Sequence, residues 1–215
     1  MMNSPTTQLS ATDLFQRAYE NRYTWDANFP GFTAKASLRH GEIVGTADVE
    51  ISPKLKVSVT NATSSEVEKA IFGQMQEIVI HRVQRSFADV HGKNEFSYGD
   101  VEVPNEALIL VGGAAAGDRY KVRDNVVSMV HRHMHGMVIT INVLTTYDTG
   151  NGYLPMDYDS VYTKPDQADQ TSPVQHHQDQ YAKFGDYILL TSRRVTSDDG
   201  DSLELQLSDM ALLVA

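Results

Sequence analysis

Phe32-Thr33-Ala34-Lys35-Ala36-Ser37-Leu38-Arg39 is the stretch that decides the fold. Phe32, Ala34, Ala36 and Leu38 alternate with Thr33, Lys35, Ser37 and Arg39, a period of two that puts each set on its own face of a strand. His40-Gly41 reads as a turn. Alternation then resumes, with Ile43, Gly45, Ala47, Val49 and Ile51 set against Val44, Thr46, Asp48 and Glu50. Pro53 ends that strand, and Leu55, Val57 and Val59 alternate with Lys54, Lys56, Ser58 and Thr60. Three such strands, each with one apolar and one mainly polar face, form an antiparallel meander. Its apolar face needs a cover.

The next segment supplies one. Val67, Ile71, Met75, Ile78 and Val79 recur at helical spacing, widened by Phe72 and Val83, and predict a long helix over 64–87. Ser65 with Glu68 reads as its capping box. Upstream, Ser10 caps a short amphipathic helix over 11–22, followed by an aromatic group, Tyr23, Trp25, Phe29 and Phe32, read as a satellite core. Downstream, strands are expected at 95–103, 107–112, 118–123, 126–132, 137–147, 186–196 and 203–214, with Asp199-Gly200-Asp201 turning the last hairpin. Residues 148–185 mix Tyr, Asp and Gln with little apolar periodicity and are read as a long mobile flap, open to proteolysis near Gln167–Gln178. The expected architecture is a single α+β domain over 10–215 behind a disordered tail at 1–9. Its large, curved, half-barrel-like antiparallel sheet wraps around the one long helix.

Composition limits what such a chain can do. Of 215 residues, 41% are hydrophobic and 21% charged, which is globular and not disordered composition. The absence of cysteine excludes disulfides, thiolate nucleophiles, zinc ribbons and iron–sulfur clusters. With 18 Lys+Arg against 28 Asp+Glu, the formal net charge of −10 disfavours nucleic acid as a partner. No apolar run approaches the roughly 20 residues of a spanning helix, and the first residues lack a signal-peptide pattern. A soluble, cytoplasmic protein without membrane insertion is expected.

Two groups of residues are candidates for function. If His131-Arg132-His133-Met134-His135 is a strand, its three imidazoles share one face about 7 Å apart, a spacing suited to Zn²⁺. His176, His177 or a nearby Asp could complete the set, while Gly136 argues that the chain turns there and splits the cluster. The second group is Ala34, Ala36, Gly45 and Ala47, small residues on the apolar faces of the first two strands, facing Ile71, Met75 and Ile78 of the helix. Small side chains there either let the helix approach closely or leave a cavity for an apolar ligand, and the pattern is compatible with both. The glycine-rich run Gly112–Gly117 lacks the Gly-Lys-Ser/Thr of a phosphate loop, and no Gly-x-Ser-x-Gly elbow is present. No catalytic residue or cofactor can be named from these motifs.

Several segments together resemble a known group of proteins. They are Ala18-Tyr19-Glu20-Asn21-Arg22-Tyr23-Thr24-Trp25-Asp26, Phe29-Pro30-Gly31-Phe32, His81-Arg82 ahead of Phe87, Gly117-Asp118-Arg119-Tyr120, and Gly152-Tyr153-Leu154 with Tyr158. They are similar to a domain-of-unknown-function family of cyanobacteria and other oxygenic phototrophs. That resemblance implies no activity, cofactor or catalytic residue. At the level of fold, three strands, a long helix and a further meander look like the half-barrels of lipoprotein carriers, whose concave face holds acyl chains. The leading expectation is a non-catalytic binding or accessory protein holding a hydrophobic small molecule, lipid or pigment. The alternatives are a metal-dependent enzyme using His131, His133 and His135, and a module docking a protein partner in a photosynthetic assembly.

Overall fold

The computed structural model describes residues 9–100, 103–134, 136–164 and 171–214. Among the described residues three helices and twelve strands follow one another as α1 (Ala11–Glu20), β1 (Phe32–His40), β2 (Ile43–Ile51), β3 (Val57–Thr60), α2 (Ser65–Arg82), α3 (Phe87–His91), β4 (Asn94–Tyr98), β5 (Ala107–Gly113), β6 (Arg119–Arg123), β7 (Val126–Met134), β8 (Met137–Asp148), β9 (Tyr153–Thr163), β10 (Gln175–Phe184), β11 (Tyr187–Ser197) and β12 (Ser202–Leu212). The strands form an antiparallel sheet hydrogen-bonded in the order β3-β2-β1-β12-β11-β10-β9-β8-β7-β6-β5-β4. The last hairpin returns β12 to β1, where Ala36 faces Leu207 across the ladder. Among the described residues no helix is long and apolar enough to cross a membrane. The chain divides into two compact units, one of residues 1–22, 85–142 and 162–171, the other of 23–84, 143–161 and 172–215.

The second unit holds the meander and its cover. Alternation in β1 buries Phe32, Ala34, Ala36 and Leu38 and leaves Lys35, Ser37 and Arg39 outside. β2 follows in matching register, Ala36 opposite Ala47 and Leu38 opposite Gly45. Helix α2 lies against these strands and shares a buried cluster with them through Val67, Ile71, Met75, Ile78 and Val79. Its cap is Ser64, one residue before the expected one: the Ser64 hydroxyl accepts the Val67 N–H at 3.2 Å, while Ser65 bonds Glu66.

The helix also ends earlier than its apolar stripe suggests. Val83 is extended, with φ −63° and ψ 122°, and bridges to Trp25, whose N–H donates to the Arg82 carbonyl at 2.9 Å. A tertiary backbone bond thus takes over where the next helical bond would form. Phe87 belongs to α3, which Ser86 caps by accepting the Asp89 N–H at 3.1 Å. The aromatic segment is no satellite. Trp25 stacks on Phe29 at 4.1 Å, and both sit in the core shared with α2.

The expected flap is mostly sheet. β9 and β10 occupy 153–163 and 175–184, and only 165–170 lie outside the described residues. In β10 the inward row is His177, Asp179 and Tyr181, and the outward row is His176, Gln178 and Gln180. Both rows are polar, so no hydrophobic contrast marks the strand. The expected tail at 1–9 lies outside the described residues except for Leu9.

In the first unit α1 lays Phe15, Ala18 and Tyr19 onto a separate buried cluster with Phe87, Ile109, Tyr120 and Val122. Phe15 stacks on Tyr120 at 4.3 Å. His91 sits among Phe15, Tyr19 and Phe87 with ring centroids 5.0 to 5.2 Å away. Burial in this aromatic surround pulls its pKa down to about 4.

Candidate functional site

The sequence-derived apolar wall is assembled and closed. Ala34, Ala36 and Ala47 are buried, and Ile71 and Met75 of α2 are 0% exposed in the same cluster. Ile78 joins them. Gly45 serves close approach: a Cβ there would lie 1.9 Å from the Thr63 hydroxyl and 2.8 Å from a Val67 methyl. The chain entering α2 is stitched to β2 at this point, since Thr63 N–H donates to Thr46 O at 3.0 Å and Thr46 N–H to Thr63 Oγ1 at 3.2 Å. A cleft of about 320 Å³ in the same strands opens between polar side chains, Lys35, Ser37, Thr46, Asp48, Asn61 and Ser208.

Beside the apolar wall stands a polar one that no motif announces. Arg193 of β11 is 5% exposed and donates from Nε and Nη2 to the two carboxylate oxygens of Asp179 on β10, both at 2.8 Å. Its Nη1 reaches α2, donating to Glu77 Oε1 at 3.1 Å and Gln74 Oε1 at 3.4 Å. Burial opposes the Arg193 charge, but the bond to Asp179 and the nearby acidic groups outweigh it and keep the group cationic. The Tyr181 hydroxyl donates to the Pro155 carbonyl at 2.8 Å and accepts from Arg82 Nη2 at 3.4 Å. Burial raises the Tyr158 and Tyr181 phenols far above the ordinary range. Tyr158 stacks on the His177 ring at 4.4 Å, and His177 Nε2 pairs with Ser160 Oγ at 3.0 Å. Burial brings the His177 pKa to about 4, and among the described residues its Nδ1 has no hydrogen-bond partner.

The histidine cluster is partly formed. His131 and His133 share a face of β7 with ring centroids 5.7 Å apart, but each ring is engaged elsewhere. His131 Nδ1 lies 2.9 Å from Thr140 Oγ1, and His133 Nδ1 lies 3.1 Å from a carboxylate oxygen of buried Asp118. His135 lies outside the described residues. His176 is held between Asp159 at 2.7 Å and Asp198 at 3.0 Å, and these bonds raise its pKa. Among the described residues no group of three or more His, Asp or Glu side chains is arranged to hold a metal ion.

Over residues 6–213 the sequence matches the model of a protein family of unknown function, DUF3386. The chain belongs to that family. No curated protein matches this DUF3386 chain. Among solved structures it is similar to a LolA superfamily protein from Nitrosomonas europaea, at 8% identity and a TM-score of 0.36, over 97% of this chain and 96% of that one. It is also similar to a putative outer membrane lipoprotein-sorting protein domain from Vibrio parahaemolyticus, at 9% identity and a TM-score of 0.33, over 95% and 93% of the two chains. A DUF1329 family protein from Desulfovibrio piger matches at 9% identity and a TM-score of 0.31, over 97% and 95%.

Sequence reasoning missed Arg193 and Asp179 for a definable reason. In the β10–β11 ladder Gln180 faces Ser192 but Tyr181 faces Leu190, so Thr191 is an extra residue, a bulge. Strict alternation from Leu190 would send Arg193 to the opposite face. The bulge restores it to the side of Asp179 and Tyr181.

Proposed function

We propose that this DUF3386 protein is a non-catalytic binding protein that holds a hydrophobic small molecule, a lipid or a pigment, between α2 and the strands it covers. The observation that carries the reading is the composition of that interface. Ile71, Met75 and Ile78 share a buried cluster with Ala34, Ala36 and Ala47, and the same helix reaches Arg193 through Gln74 and Glu77. Apolar ligand sites combine this kind of largely apolar lining with a few convergent polar groups.

The interface is closed here, so the molecule enters as α2 withdraws. Gly73 sits at its middle with open space where a Cβ would stand, so no packing need calls for glycine, and it weakens the helix by about 1 kcal/mol relative to alanine. Mass spectrometry of organic extracts from the protein isolated from its native host tests the reading. A single apolar species in near-stoichiometric amount is expected. Extracts matching those of an unrelated control protein would overturn it.

A further inference from the structure

Arg193 is poised between two partners of different permanence. Asp179 takes Nε and Nη2, is 3% exposed, and comes from the adjacent strand of the same ladder. Glu77 takes Nη1, comes from α2, and its side chain is 39% exposed. When α2 withdraws, Asp179 stays with the guanidinium and Glu77 leaves with the helix. Nη1 is then a cationic donor that has lost its carboxylate partner, and an anionic group can take that place. Across the ladder Arg193 faces Leu205, which faces Leu38, and both leucines share the buried cluster of Ile71, Met75 and Ile78, so the place Glu77 vacates adjoins the apolar lining.

We propose that Arg193 is the head-group receptor of the site and that its occupant is a long-chain carboxylate, whose head replaces Glu77 at Nη1 while its tail lies along Ile71, Met75 and Ile78. This assignment rests on the binding function proposed above. The head-group charge follows from the count at the site: Arg193 and Arg82, the latter on the Tyr181 hydroxyl beside Asp179, stand against the carboxylates of Asp179 and Glu77. A monoanionic carboxylate exchanges for Glu77 one for one. A phosphate dianion would add a second negative charge with no new cation to meet it.

Equilibrium dialysis of radiolabelled palmitate and hexadecanol at pH 8, against the full chain and its Glu77→Gln variant, tests the assignment. Glu77 is partly exposed, and the amide keeps its shape. Palmitate is expected to bind at least tenfold more tightly than hexadecanol. The variant is expected to bind both probes more tightly, because α2 leaves more easily, and to gain severalfold more for palmitate, because no displaced carboxylate repels its head. Equal binding of the two probes, or a palmitate preference that Glu77→Gln does not strengthen, would overturn the role of Arg193 and leave the binding function standing. Failure of both probes to bind would overturn the two together.

Discussion

Strands β1 and β2 meet α2 with alanines, whereas β10 and β11 meet it with a buried ion pair. The apolar contact is non-directional. It depends on area and fit, and a helix can leave it and return without any single bond deciding the register. The polar contact is directional and intolerant. A guanidinium with its Nε–Nη2 edge on Asp179 has one geometry, and removal of either partner strands a charge. One helix resting on both kinds of surface is held in register by the ion pair and covered by the apolar contact.

The largest expected effect comes from breaking the polar side. Arg193→Met alone should cost about 3–5 kcal/mol in urea denaturation, since Asp179 is left buried and unpaired. Adding Asp179→Leu should recover much of that loss. If the double variant is as unstable as the single one, the pair is not the unit that organises this wall.

Acid comes next. His177 and His91 have pKa values of about 4, below the ordinary value of 6.5, so each favours the folded state only while neutral. Their contribution is complete above pH 6.5 and is lost as the pH falls towards 4, by up to about 3 kcal/mol each. His176 runs the other way: its pKa is raised, so what it contributes is present at acid pH and is lost as the pH rises through its folded value. Ring titrations followed by NMR should find His177 and His91 neutral at pH 6. A protonated His177 at that pH would show that the polar wall admits water freely.

A smaller effect is expected on the apolar side. Ala36→Leu and Ala47→Leu insert bulk into a filled contact and should each destabilise by about 1–3 kcal/mol. Were either variant as stable as the parent, the alanines would line a standing cavity, and the helix would not need to move to admit a ligand.

The two walls also differ in how far the sequence reveals them. The alternation of Phe32, Ala34, Ala36 and Leu38 is readable because apolar and polar residues contrast, and the same holds for the stripe on α2. The last strand pair is legible for that reason too. β10 is hidden because His177 and Asp179 inside alternate with His176 and Gln178 outside, polar against polar. Arg193 is hidden twice over, by its charge and by a bulge that shifts its phase. The early end of α2 depends on Trp25, which is far away in sequence. Of the proposed ligand contact, only the burial of Ala34, Ala36, Ala47, Ile71, Met75 and Ile78 was legible. Whether it stood open or closed was not, because small side chains serve either arrangement.

The central claim is that α2 separates from the sheet while the rest of its unit stays folded. Detached from the sheet, an 18-residue helix is marginal in water and unravels, so native-state hydrogen exchange reads the separation by comparing amides of Ile71–Val79 in α2 with those of Ala34–Leu38 in β1. The α2 amides are expected to exchange through an opening well below the global unfolding free energy. Gly73→Ala should make that opening rarer by about 1 kcal/mol, since it stabilises the helix at its middle. Exchange of both segments at one common rate, through global unfolding alone, would contradict it.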